Sequence, residues 1–361
     1  MENEKGIQFF HLYRKDLINF FKKGVKKKII NVNKIEATWL PISNSCFEHI
    51  SPGFIKNLFS VYLPNLLFII FKKPVIKKIE SAKPDIIHLN SVVLLPLVQY
   101  ILESESLKTC KIILHVRELV NLENIFIFKS SLNHISRFVC IDYAVASRIM
   151  NSGLEIDQNK LFIQQNPFEA QTKLRPDLNK YFNSEKIIFS IAGVIGKDKG
   201  VEFVCESFFK SKIENVELLI IGKINNYATI IQEKYKNNNN IIWTDEIDSL
   251  FDSGAFSYIN CLIRGENQFC TGRTVYESLF SGGMVLLPGY EKDLQNDYFL
   301  KKFSNQVFFY NPRNFESFNF ELKKIVKLIK KNGVFNKRIA KSNYDEYAQF
   351  FINFYKELQF L

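Results

Sequence analysis

Short apolar runs alternate with helical-looking segments almost from end to end of the chain. In the first half KKIINVN (27–33), DIIHLN (85–90), KIILHV (111–116), RFVCID (137–142) and KLFIQQN (160–166) read as strands. In the second half KIIFSIAG (186–193), VELLIIG (216–222), NIIW (240–243), FSYINC (256–261), MVLLP (284–288) and QVFFY (306–310) do the same. Continuous apolar runs of this length suit strands buried on both faces, with the intervening helices as right-handed crossovers. The pattern predicts an α/β chain of two successive domains, each on a parallel sheet. The alternation lapses in EAQTKLRPDLNKYFNSE (169–185), a polar stretch holding Pro176, which marks the seam. The expected organisation is residues 1–172, residues 173–344, and a terminal helix over 345–361. That helix is apolar around most of its surface and should pack back towards the first domain.

Bulk properties narrow the field. A chain of 361 residues is long enough for two domains with separate cores. Its 47% hydrophobic and 24% charged residues are ordinary for a soluble globular protein. A net charge of +11 suits an anionic partner: nucleic acid, an acidic lipid surface or a phosphorylated substrate. Lysine, asparagine, isoleucine and phenylalanine are abundant throughout, which weakens the case for a selected basic surface. Aromatic-interleaved basic motifs and zinc-finger spacings are missing, so no nucleic-acid partner is expected. The six cysteines form no C-x-x-C pair and several sit in apolar runs, which fits a reducing, cytoplasmic setting. MENEKGIQFF lacks the pattern of a signal peptide, and LFSVYLPNLLFIIF (58–71), interrupted by Pro64 and Asn65, is too short to span a bilayer.

In open α/β sheets ligands bind beyond the carboxyl ends of the strands, so the loops there carry the chemistry, and a cleft between domains is the default site. AGVIGKDKG (192–200) follows a strand: Gly193, Gly196 and Gly200 permit a tight turn, and Lys197 and Lys199 place cations at a helix start. It is neither a Walker loop nor a dinucleotide fingerprint, and a solvated turn is the plain alternative. Gly222 ends a second strand, and Trp243, Thr244 and Asp245 follow a third, where they either face a base or join the core. TGRTVYESLFSGG (271–283) has two readings. Thr274 and Glu277 have capping-box spacing, with Gly282 and Gly283 ending the helix. Alternatively, Gly272 lets the backbone approach a phosphate at the helix start while Glu277 accepts hydrogen bonds from a sugar ring.

The ordered pair of loops resembles the nucleotide-sugar half of the GT-B glycosyltransferases, specifically family 4, the retaining "glycosyl transferases group 1". Lys199-Gly200 resembles the family's lysine–glycine pair, and Glu277-Ser278…Gly282 its second glutamate and helix. In the first half KPDIIHLNS (83–91), KIILHVRELV (111–120) and QQNPFE (164–169) resemble segments of a family subset. The resemblance implies two Rossmann-like domains facing a cleft, and a nucleotide diphosphate sugar as donor with no cofactor or metal. It implies that Lys199 holds the diphosphate, with Gly193, Gly196, Lys197, Gly222 and Thr244 on the donor side. Gly272, Arg273 and Thr274 then lie near the diphosphate and sugar, and Glu277 bonds the ribose. His115 is placed nearest the sugar, with Lys199, Glu266 and Arg273 as its catalytic company. Gly6, Asn90, Ser91, Arg117 and Glu118 fall on the acceptor side.

The chain departs from the family pattern at three places. Val194 stands where many members have an arginine, and Phe269 stands eight residues before Glu277 where a glutamate is usual. Glu266 is then the candidate first glutamate, with Arg264 and Arg273 compensating for the arginine. GIQFFHLYRKDLINFFKKG (6–24) reads as a loop end and first helix, so the first strand is apparently missing. Retaining transfer to a glycan or lipid-linked acceptor of a cell-surface polysaccharide pathway is the expected activity. A silent nucleotide-sugar binder and a nucleotide-sugar epimerase are the alternatives. FFKKGVKKK (20–28) and FKKPVIKK (71–78) form either a solvated basic rim or a face for the anionic inner surface of the cell membrane.

Overall fold

The computed structural model describes residues 10–14, 33–37, 63–117, 125, 128–182, 186–248, 250–332 and 342–359. The chain divides into two units: residues 1–165 with 346–361, and residues 166–345. The division falls between Gln165 and Asn166, a few residues before the expected seam, and the terminal helix groups with the first unit.

Strand β1 (Phe10–Arg14) pairs in parallel with β2 (Asn33–Ala37). This corrects the reading of 6–24, because part of the supposed loop and helix is a strand. The pair forms its own two-stranded sheet, apart from the four parallel strands β3 (Ile86–Leu89), β4 (Lys111–Val116), β5 (Ile135–Cys140) and β6 (Leu161–Ile163). Side chains alternate across that sheet. Ile112, Leu114 and Val116 share one core with α1 (Leu63–Ser81), α2 (Leu95–Leu102) and α3 (Tyr143–Met150). Ile113 and Val139 lie on the opposite face, against Phe351, Phe354 and Leu358 of the terminal helix, Tyr344–Gln359. Asp142 starts α3 by accepting a hydrogen bond from the Val145 N–H at 2.8 Å.

The second unit holds six parallel strands: β7 (Ile187–Ala192), β8 (Val216–Ile221), β9 (Ile241–Thr244), β10 (Cys261–Ile263), β11 (Met284–Pro288) and β12 (Val307–Tyr310). Their order is β12-β11-β10-β7-β8-β9. The helices α4 (Val201–Ser211), α5 (Asn226–Lys234) and α7 (Phe315–Asn332) cover one face through Val204, Phe208, Ile231, Phe318 and Leu322. The run FSYINC is not itself a strand. Ala255–Ser257 form a 3₁₀ turn behind Gly254, and pairing begins only at Cys261. A run this short carries too few periods for a turn to be told from a strand.

Between β10 and β11 lies α6 (Gly272–Phe280), which buries Val275, Tyr276, Leu279 and Phe280. Its end is the glycine stop read in the sequence. Gly282 is left-handed at φ 79°, its N–H donates to the Leu279 carbonyl at 3.0 Å, and the Gly283 N–H donates to Ser278 at 2.9 Å.

Candidate active site

Strand order reverses between β7 and β10, so the connections leaving these neighbours run in opposite directions and open a crevice at their carboxyl ends. Two glycine-bearing loops meet there. A Cβ on Gly200 would lie 1.6 Å from the Gly265 carbonyl oxygen, and one on Gly265 would lie 2.6 Å from the Gly200 oxygen. Gly200 also needs its left-handed φ of 63° to turn from Lys197–Lys199 into α4. These two residues let the β7 and β10 loops touch backbone to backbone. Gly193, at φ 124°, has no atom within 4 Å of where a Cβ would stand, so its loop face is open.

The polar centre of the crevice belongs to the β10 loop. Arg264 donates from Nε to Glu266 at 3.2 Å and again from Nη2 to the same carboxylate. Its Nη1 donates to the Thr274 hydroxyl at 3.2 Å, and Nη2 reaches the Cys270 sulfur at 3.8 Å. Tyr310 fixes the arginine backbone by donating to its carbonyl at 2.7 Å. Burial works against the charged guanidinium, yet the Glu266 and Cys270 interactions hold its pKa above the ordinary arginine value. Lys199, on the β7 loop, brings Nζ to 3.7 Å from Glu266 and 3.3 Å from Asp198. Lys199, Glu266 and Thr274, named separately in the sequence, are thus drawn together: Arg264 joins Glu266 to Thr274, and Glu266 joins both to Lys199.

Helix α6 resolves the two readings of 271–283. Thr271, not Thr274, precedes the helix, and it makes no side-chain cap. Thr274 is in the first turn bonded to Arg264, and Glu277 accepts from Arg273 Nε at 2.7 Å. The capping box is therefore absent. Gly272, at φ 51°, faces the Arg264 guanidinium, with a hypothetical Cβ 3.4 Å from Nη1. Glu277 is buried mid-helix, where burial raises its pKa against the lowering effect of Arg273. A buried carboxylate held by one exposed arginine retains acceptor capacity for a ligand hydroxyl.

Other expected site residues have surroundings of their own. Thr244 is 1% exposed at the end of the edge strand β9, and its hydroxyl donates to the Asp245 carbonyl at 3.1 Å. It is buried at the end of its strand. A Cβ on Gly222 would lie 2.0 Å from the Gly193 oxygen, so Gly222 serves the close approach of two loops. Gly196 and Lys197 are on the turn between them, Lys197 exposed. Arg273 and Glu277 pair with each other along the helix instead of with Lys199.

In the first unit, His115 stands near the end of β4, only 1% exposed. Its ring stacks on His88 at 5.5 Å and packs at 5.9 Å from Phe351 of the terminal helix. Aromatic side chains therefore pack around the ring of His115. His88 Nδ1 and the Tyr355 hydroxyl are hydrogen-bonded at 2.6 Å. Nε2 of both histidines is buried without a hydrogen-bond partner. Burial, reinforced by Arg117, lowers the His88 pKa to about 4; burial, then His88 and Arg117, lowers that of His115 to about 3. Arg117 donates to Asn90 at 3.4 Å, and Ser91 accepts from the Val93 N–H at 3.3 Å to start a 3₁₀ turn. Gly6 and Glu118 lie outside the described residues.

Two participants escaped the sequence reading. Arg313 follows β12 with a left-handed φ of 58°, donates to Asn267 of the β10 loop, and lies over the Phe203 ring at 5.4 Å. Tyr310 braces Arg264 from the same side. Their signal is positional: both lie at or just past the carboxyl end of a strand.

No family model matches the sequence, and no curated protein matches it either. Solved structures do match its fold. Sucrose-phosphate synthase from Thermosynechococcus elongatus is 12% identical, with a TM-score of 0.61, covering 91% of this chain and 88% of its own. HepE from Anabaena, solved with UDP and glucose, is 12% identical with a TM-score of 0.55 and covers 78% of each chain. A glycosyltransferase from Rickettsia africae is 18% identical, with a TM-score of 0.56, covering 86% of this chain and 78% of its own. With two parallel-sheet α/β units, the chain has the GT-B fold.

Proposed function

We propose that this protein is a glycosyltransferase that moves a sugar, with retention, from a nucleotide diphosphate sugar to a glycan or lipid-linked acceptor. The observation that carries this reading is the junction of Lys199 with the Arg264–Glu266 pair at the switch point, beside the first turn of α6. The likeness to HepE, solved with UDP-glucose, supports it at the level of fold. In the reaction the bond from the anomeric carbon to the diphosphate breaks and its electron pair leaves with the diphosphate. The acceptor hydroxyl oxygen forms the new bond and passes its proton to an oxygen of the departing diphosphate. Lys199, Arg264 and the α6 N–H groups stabilise the departing charge in place of a metal ion. Glu277 receives the ribose hydroxyls.

The acceptor belongs to a cell-surface polysaccharide pathway, and the enzyme docks on an anionic membrane face. Helix α1 supports this, since Leu66, Ile69 and Ile70 are exposed beside exposed Lys73, Lys77 and Lys78. Among the described residues no helix is long and apolar enough to cross a membrane. The burial of His115 favours a second reading, a protein that binds nucleotide sugar without turnover.

Chromatography of the products separates these readings. The transferase releases nucleoside diphosphate only with acceptor present, and chelators leave the rate unchanged. Lys199→Ala lowers that rate about a hundred- to thousand-fold. Binding without release selects the silent module, and sugar isomerisation selects an epimerase.

A further inference from the structure

The carboxylate of Glu266 is the anion that two cations of the site share. It takes two hydrogen bonds from Arg264 and lies 3.7 Å from Lys199. Its side chain is 9% exposed and that of Arg264 is 12% exposed, so water screens this pair poorly. The other charged group beside Lys199 is Asp198, half exposed. The Arg264 guanidinium also reaches Thr274 and Cys270, and its backbone carbonyl accepts from Tyr310. Lys199, on a separate loop, is the more exposed of the two cations.

We propose that Glu266 is a resident counter-ion that holds Arg264 in place and competes with phosphate for Lys199, so that it limits retention of the spent diphosphate. This rests on the transferase reading for its consequence, but not for the counter-ion itself. The diphosphate of a nucleotide sugar carries about two negative charges, and the released nucleoside diphosphate about three above the second phosphate pKa. A purely cationic site holds the product more tightly than the donor. A fixed carboxylate weakens both, and weakens the more charged product more. Glu266 is therefore a positioning residue that trims product affinity; it is not a contact to the transferred sugar.

Titration calorimetry with pyrophosphate, inorganic phosphate, a nucleoside diphosphate and its sugar tests this on the full chain. Glu266→Gln keeps the shape and a hydrogen-bond acceptor for Arg264 while removing the charge. Its expected effect is an affinity for pyrophosphate about tenfold higher than the wild type, with a smaller gain for inorganic phosphate. The preference for nucleoside diphosphate over nucleotide sugar rises in step. Unchanged or weaker pyrophosphate binding in a folded Glu266→Gln protein overturns the proposal, as a purely structural or sugar-contacting role requires. If that variant does not fold, Glu266→Asp withdraws the carboxylate from Lys199 by one methylene. A gain in pyrophosphate affinity supports the proposal, and no gain overturns it. A wild type that binds pyrophosphate but turns over no nucleotide sugar removes the transferase reading and leaves the counter-ion standing. A wild type that binds neither anion removes both.

Discussion

A histidine at the end of a strand has the same letter whether it faces a ligand or a neighbouring ring. His115 shows the difference. Its ring is stacked on His88 and covered by Phe351, so protonation would put charge into an aromatic shell. The folded pKa values, about 4 for His88 and about 3 for His115, lie below the 6.5 of an exposed ring. Between pH 6.5 and about 4 the unfolded chain therefore binds protons that the folded chain refuses, and stability falls as pH falls. Denaturant titrations from pH 7 to 4 should show this loss, and His115→Phe should flatten it. Equal slopes in the two proteins would place the acid sensitivity elsewhere. That Lys199 stands at a helix entrance after a buried strand was legible from its loop. The burial of Thr244 and His115 was not, since it is decided by chain remote in sequence: β8 for Thr244, the terminal helix for His115.

Elements were more legible than residues. Strands β4 and β11 coincide with their apolar runs, and the terminal helix occupies Tyr344–Gln359, close to the expected 345–361. The failures share one cause, which is that local pattern does not report partners. Phe10–Arg14 is a strand because Asn33–Ala37 lies beside it in register, and nothing within 6–24 announces that pairing. The apparent capping box failed differently, because Arg264, on another loop, claims the Thr274 hydroxyl. Helix α1 is where an element predicts behaviour. Leu66, Ile69 and Ile70 expose an apolar row at helical spacing, continued by Lys73 and Lys77. Each lysine near an anionic surface contributes about 1 kcal/mol, and the apolar side chains add their burial. The protein should sediment with acidic-lipid vesicles at low salt, and Ile69→Glu with Ile70→Glu should abolish most of that binding. Retention by the double variant would assign the attraction to charge outside α1.

At the scale of the whole molecule, charge and site obey different rules. The net +11 is spread over the chain, and at physiological ionic strength charges more than about 8 Å apart are largely screened. Lys199 and Arg264 are within reach of one carboxylate, so their pull on a phosphate is short-ranged and survives salt that removes vesicle docking. Two cores sharpen the point, because each unit has its own buried cluster and the proposed donor groups all belong to the second. A ligand at a hundred times its dissociation constant stabilises whatever it binds by about 2.7 kcal/mol. Hydrogen exchange with saturating nucleoside diphosphate, at low and at high salt, should slow the amides of β7, β10 and α6 in both conditions. The amides of β3 to β6 should change less, because their sheet carries none of the donor-side cations. Protection that appears first in β3 to β6 would move the donor to the first unit. Protection that vanishes at high salt would reduce the Lys199–Arg264 centre to one more patch of a basic surface.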